Sequence, residues 1–197
     1  MAQLNGAQVT WLGHATFKVT TPQNKVILID PWIEGNPKSP AEARQLDKVD
    51  VILVTHGHSD HIQDVVPTAQ KFQAQVLAMV ETAGWIGSQG VANVIELENG
   101  LTLYHAGDTC AFGDMQLLRE LYAPALALLP IGDFYTMGPK GAALSVRMLG
   151  VKHVIPMHYG TFPILLGTPA QLKDELHKLG LESVEVIEMS PGQTIKV

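Results

Sequence analysis

Cysteine is nearly absent from this sequence: Cys110 is the only one in 197 residues. A single thiol excludes an internal disulfide and suits a reducing compartment, so the cytoplasm is the expected location. Basic residues are also few. Thirteen Lys and Arg against nineteen Asp and Glu give a net charge of −6, and the thirteen are scattered, with no run or stripe to follow a phosphate backbone. Nucleic acid is therefore not expected as a partner. No apolar stretch reaches the roughly 20 residues that cross a bilayer, so no membrane partner is expected either. Residues 1–6 show no basic region followed by an apolar block, and no signal peptide is expected. The G-x-S-x-G elbow that presents a serine nucleophile is missing as well. The length fits one domain, residues 1–197, and with 46% hydrophobic residues the chain can build a substantial core.

Histidine, by contrast, is concentrated in one place. Thr55-His56-Gly57-His58-Ser59-Asp60-His61 packs three imidazoles and a carboxylate into six residues, directly after the apolar run Val51-Ile52-Leu53-Val54. At this composition a chance H-x-H-x-D-H is on the order of one in a thousand. Imidazole and carboxylate together are the ligand set of Zn²⁺ and related first-row ions. A short buried strand that ends in such a loop presents it at the rim of a sheet.

Strands and helices alternate along the chain without a linker. Residues 8–20 and 25–30 read as an antiparallel pair joined by the turn Thr21-Pro22-Gln23-Asn24. After a loop at 31–48, residues 50–54 form an apolar strand and Ile62 to Phe72 a helix. A strand at 75–80 follows, then a hairpin at 95–98 and 101–104 around Asn99-Gly100. Helices near 114–122 and 139–149 precede strands at 125–130 and 152–156. The last helix, 169–179, has Thr168 as N-cap before Pro169 and Gly180 as its stop. Strands at 184–188 and 193–197 finish the chain. Antiparallel pairs at the ends of each half, with βα units between, suggest an α/β fold of two sheets packed face to face with helices outside.

Further ligand candidates stand just after predicted strands: Asp30 after Val26–Ile29, Asp108 after Leu101–Tyr104, and His158 after Val154–Pro156. Gathering a site from successive strand ends is how an α/β fold draws on distant sequence.

These segments, with Gly13-His14-Ala15-Thr16-Phe17, Leu129-Pro130-Ile131-Gly132, Thr136-Met137-Gly138-Pro139 and Pro156-Met157-His158-Tyr159-Gly160-Thr161-Phe162-Pro163, resemble the metallo-β-lactamase superfamily over the whole chain. More narrowly, the chain looks like the superfamily's stand-alone bacterial metal-dependent hydrolases. The resemblance implies an αβ/βα four-layer sandwich of two mixed sheets with a dinuclear metal site on its edge, and two divalent ions, zinc first, with manganese, iron or nickel as alternatives. His56 and His58 would bind the first ion. Asp60, His61 and His158 would bind the second, with Asp108 bridging. Asp60 and Asp108 would then be the catalytic carboxylates, Asp60 orienting the nucleophile. Asp30 looks like the aspartate that holds the ligand loop in shape, and His14 like the histidine beside the cleft. The implied activity is hydrolysis of an ester, lactone, amide or phosphodiester of a small-molecule substrate. Tyr135, Thr136 and Tyr159 stand near strand ends where they would meet substrate or pack as ordinary loop residues.

One ligand is missing from the pattern. The superfamily's first metal normally takes a third histidine between the H-x-H-x-D-H loop and the bridging aspartate. Only His105 lies there, three residues from Asp108 on a predicted strand, so their side chains should point to opposite faces and His105 reads as structural. The stretch 89–96 is also some tens of residues shorter than usual for this branch. Either a mobile loop separates segments that join near Ile95-Glu96, which the intact later motifs favour, or the protein lacks it. Cys110 reads as a small buried residue. A secreted β-lactamase, a di-iron flavoprotein with glutamate in place of His58, and an RNA-processing member with a basic arm all fit poorly. The alternative from another class is a non-catalytic, metal-containing binding or regulatory protein on the same fold. Oligomeric state is open, a homo-oligomer included.

Overall fold

In the computed structural model, residues 6–79, Thr82, Ile86 and 102–197 are described. They fall into two units: residues 5–100 with 190–197, and residues 101–189.

The first unit is built on a six-stranded mixed sheet. Its strands are β1 (Gln8–Trp11), β2 (Phe17–Thr20), β3 (Val26–Ile29), β4 (Val51–Leu53), β5 (Gln75–Leu77) and β10 (Thr194–Lys196), in the order β10-β1-β2-β3-β4-β5. The β10-β1-β2-β3 run is antiparallel and β3-β4-β5 is parallel. β3 is buried along its whole length, as its unbroken Val-Ile-Leu-Ile demands. Helices α1 (Ser59–Ile62) and α2 (Val65–Phe72) follow β4. Leu28, Ile52, Val65, Val76 and Ile86 are the centre of this unit's core, each fully buried.

Residues 8–20 are not one strand. They break at Gly13, whose φ is +101 and where a Cβ would lie 2.9 Å from the backbone of Lys38. Only glycine fits there, and the turn it makes with His14 separates β1 from β2. The predicted helix from Ile62 begins earlier, as the short α1, so Asp60 and His61 stand on a helical turn.

The second unit carries a four-stranded sheet in the order β6 (Leu103–His105), β7 (Leu126–Pro130), β8 (His153–Met157), β9 (Glu185–Val186). All its pairings are parallel, so among the described residues this sheet is not mixed. The Asn99-Gly100 turn and the 95–98 strand expected beside it lie outside the described residues, as does the expected join near Ile95-Glu96. Helices α3 (Met115–Tyr122), α4 (Pro139–Leu149) and α5 (Pro169–Lys178) complete the unit. α5 opens with the expected cap: the Thr168 hydroxyl accepts from the Gln171 N–H, and the Gln171 side chain accepts from the Thr168 N–H. The last two strands do not pair with each other. β9 joins β8, while β10 joins β1 in the first unit's sheet.

Candidate metal centre

β3 runs directly into Asp30, which is fully buried and held at φ +46. The left-handed region costs an L-residue about 1–2 kcal/mol, and aspartate tolerates it better than most. Thr16 fixes this bend: its hydroxyl donates to the Asp30 carbonyl at 2.7 Å and accepts from the Trp32 N–H at 3.0 Å. On the other side of His61, the Asp64 carboxylate accepts from the N–H groups of Ile33 and Glu34, at 2.6 and 2.9 Å. The two loops that carry Asp30 and the histidines are thus tied together.

The Asp30 carboxylate accepts three hydrogen bonds. Thr55 N–H reaches Oδ1 at 2.7 Å, while the Thr55 hydroxyl and His61 Nδ1 reach Oδ2 at 2.6 and 2.8 Å. An ionised carboxylate only accepts, so His61 Nδ1 carries a proton, and in the neutral ring the lone pair is on Nε2. The Thr55 hydroxyl has one proton and gives it to Asp30. The contact of 2.9 Å between Thr55 Oγ1 and His56 Nδ1 therefore takes its proton from the ring. In its neutral form His56 then has the same tautomer, with its lone pair on Nε2. One buried carboxylate sets both imidazoles.

His56 Nε2 faces His58 Nδ1 at 2.9 Å, and the His56 and His61 ring centroids are 4.1 Å apart. Ligand atoms of Asp30, His56 and His61 lie within 4.8 Å of one another. Asp30 already accepts three hydrogen bonds, so we read it as the group that orients the rings. Imidazoles with carboxylates close by are a donor set that fits a divalent first-row cation.

His14 is fully buried on the turn made by Gly13, at φ +54. Its Nε2 lies 3.2 Å from Asp60 Oδ2, and its ring meets Trp32 edge-on at 5.2 Å. The His14 hydrogen bond, with the nearby His61, outweighs burial and holds the Asp60 carboxyl at a pKa of about 2. Asp60 is therefore ionised at neutral pH.

In the second unit Asp108 follows β6, and its Oδ1 lies 3.2 Å from His158 Nε2. His158 follows β8, is 1% exposed and also has positive φ, +55. His105 Nδ1 accepts the N–H of Gly107 at 3.2 Å, a local role in shaping the loop that presents Asp108. Thr136 is buried and Tyr135 is exposed, while burial pushes the Tyr159 phenol up. Cys110 is exposed, not buried as expected; it sits in the irregular stretch between β6 and α3, off any core-facing element.

His14, Asp30, His56, His58, Asp60 and His61 come together in the first unit, and Asp108 with His158 in the second. Thr16, Thr55 and Asp64 escaped the sequence reading. The position of Thr55, immediately before the first histidine, and of Asp64, three residues after the last, was the signal available for two of them.

Two family models match the chain, both described as beta-lactamase superfamily domains, at residues 8–94 and 89–159. A UPF0173 metal-dependent hydrolase from Rubrobacter xylanophilus is 42% identical over 236 residues, covering 98% of this chain and 97% of that protein. A 197-residue chain cannot fill that alignment, so some tens of positions in the relative have no counterpart here. The structure of Igni18, a metallo hydrolase from Ignicoccus hospitalis, is similar with a TM-score of 0.87 at 31% identity, covering 97% of this chain and 98% of that one. The metallo-beta-lactamase fold protein YhfI from Bacillus subtilis is similar with a TM-score of 0.68 at 14% identity, over 98% of this chain and all of its own, which is a likeness of fold alone.

Proposed function

We propose, for a chain that belongs to the beta-lactamase superfamily and within it to the UPF0173 metal-dependent hydrolases, that it hydrolyses an ester, lactone, amide or phosphodiester of a small molecule. It is an α/β protein with the metallo-β-lactamase fold and a metal-dependent hydrolase. The finer reading is ours: two divalent ions, zinc first, with His56 and His58 on one, Asp60, His61 and His158 on the other, and Asp108 shared. The observation that carries it is the Asp30 relay, which engages Nδ1 of both His56 and His61 and leaves Nε2 as the nitrogen that would meet a cation. A structural polar cluster has no need to fix two tautomers at once.

When bound, ions of this kind supply Lewis acidity and bring the pKa of water towards neutrality. The chain's own groups do the rest. Asp30 and Thr55 keep the rings from turning. Asp60, kept anionic beside His14, would accept a hydrogen bond from a water or substrate hydroxyl and so orient the nucleophile. Asp108, paired with His158 at a strand end, adds a second carboxylate. The lone Cys110 supports a reducing compartment, and among the described residues no helix is long and apolar enough to cross a membrane.

A second reading, a metal-holding protein without turnover, is favoured by one observation. Between His61 and Asp108 the sequence has only His105, which leaves the first ion without an evident third histidine. Elemental analysis separates the two. Chelator-free protein should hold close to two divalent ions per chain, and Asp108→Ala should lose turnover while keeping its circular dichroism. No metal after reconstitution with zinc, manganese, iron and nickel in turn would sink the hydrolase reading. One ion per chain without turnover would favour the second.

A further inference from the structure

Four large apolar side chains on the loops of the second unit point into solvent: Phe134 is 65% exposed, Tyr135 62%, Ile164 41% and Leu166 73%. They sit on the two loops that leave the C-terminal ends of neighbouring parallel strands, β7 and β8. Those are the strand ends that also lead to His158, and ligands of α/β sheets bind outside the carboxyl ends of strands.

The aromatic pair is displayed by a strained turn. Asp133 and Phe134 are consecutive non-glycine residues with positive φ, +66 and +57. The turn is nonetheless fully tied. The Phe134 N–H donates to Asp133 Oδ1 at 2.9 Å, and the Tyr135 N–H to the Asp133 carbonyl at 2.7 Å. The Phe134 and Tyr135 rings brace each other at right angles, 4.7 Å between centroids. Folding gains nothing from spending strain to hold two aromatics in water; strain of this sort is kept where a ligand is met.

Backbone contacts lock the three loops after β6, β7 and β8 into one cluster. The Met137 N–H donates to Thr109, the neighbour of Asp108, at 3.1 Å. The Gly167 N–H reaches Gly132 at 3.4 Å. A Cβ on Gly132 would lie 2.1 Å from the His158 carbonyl, and one on Gly167 would lie 1.6 Å from that of Ile131. The apolar residues are thus built into the same loop cluster as Asp108 and His158.

No Lys or Arg occurs at 131–139 or 158–167. A phosphate or carboxylate tail would find no counter-charge on these loops, whereas rigid aromatic faces take an uncharged group at low entropic cost. We infer that Phe134 and Tyr135, with Ile164 and Leu166, are the specificity element of the hydrolase. They seat an uncharged apolar acyl or aryl substituent of the substrate. This rests on the hydrolase reading above.

The test uses metal-reconstituted full-length protein and 4-nitrophenyl esters from acetate to octanoate. The octanoate-to-acetate ratio of kcat/KM should be about tenfold or more, given the affinity each buried methylene adds. In a Phe134→Ser/Tyr135→Ser variant, which alters exposed residues only, the ratio should fall towards one. A second arm needs no turnover: hexanol should shift the methyl resonances of Ile164 and Leu166 in the wild type and leave them in place in the variant. Ester turnover with the same ratio in both proteins overturns the inference and leaves the hydrolase reading standing. Shifted methyls with no ester cleaved support the apolar seat and count against ester hydrolysis. A wild-type dimer that the variant turns into a monomer would mean that a second copy covers this surface, and would overturn the inference.

Discussion

Asp30→Asn is the substitution that separates an orienting carboxylate from a merely buried one. The side chain is fully buried, so an isosteric amide has no water to turn to. Its oxygen stays with the Thr55 N–H, a fixed backbone donor, now at 2.7 Å from Oδ1. The NH₂ then replaces Oδ2 and faces the Thr55 hydroxyl and His61 Nδ1, now at 2.6 and 2.8 Å. Donor meets donor twice. The hydroxyl must rotate, and the His61 proton must move to Nε2, the nitrogen that should face a cation. Hydrogen bonds to a charged group contribute about 1.5–3 kcal/mol each, and the reversed bonds return part of that. A net loss of about 2–4 kcal/mol is expected. For a chain of this size that lowers Tm by about 5–15 °C. Zinc affinity should drop about 10–100-fold, the usual effect of losing a partner that fixes a ligand. Long-range ¹H–¹⁵N spectra of the metal-free protein report the His61 tautomer directly. Chelator competition reports the affinity, and a thermal melt the stability. An Asp30→Asn protein that retains wild-type zinc affinity and a proton on His61 Nδ1 would refute the relay.

Two further outcomes are expected. Burial alone would raise the Asp50 carboxyl, but the Val26 N–H at 2.7 Å and the Lys48 ammonium at 3.0 Å bring it below its ordinary 3.8. A depressed folded pKa gives stability that is present above 3.8 and lost as pH falls through the folded value, so urea midpoints of Asp50→Asn should show a weaker acid loss than wild type below about pH 4. An unchanged acid profile would contradict the assignment. Gly167→Ala forces a methyl to within 1.6 Å of the Ile131 carbonyl, so the chain must move to admit it. The expected loss is at least about 1–3 kcal/mol in urea unfolding, and a neutral result would mean that the two loops are not locked together.

Much of the site was legible because its signals are local. Three histidines and an aspartate within six residues, after an apolar strand, mark a candidate ligand loop whatever the rest of the chain does. Strand ends at Asp30, Asp108 and His158 were legible for the same reason, since burial periodicity is read within a few residues. The N-cap at Thr168 is a local signal too, and it formed as expected; Gln171 completes it as a capping box. Glycine was harder. Gly13 lies inside a run of strand-like residues, and what makes it a turn is the backbone of Lys38 arriving from a distant loop.

The sequence by itself determined which residues are candidates to carry chemistry, where most strands and helices run, and the superfamily. Tertiary structure alone decided how those residues act on one another. The tautomers of His56 and His61 depend on Thr55 and on a carboxylate at least 25 residues away from each partner it meets. The lowered pKa of Asp60 depends first on its hydrogen bond with His14, 46 residues upstream. β10 joined β1, not the neighbouring β9, because a strand pairs with whichever edge the fold brings beside it. The exposure of Phe134 was equally invisible, and the sequence left Tyr135 open between substrate contact and loop packing. Hydrogen-bond partners, burial and sheet order are properties of proximity in space, and spacing along the chain constrains that proximity only within an element or a single turn.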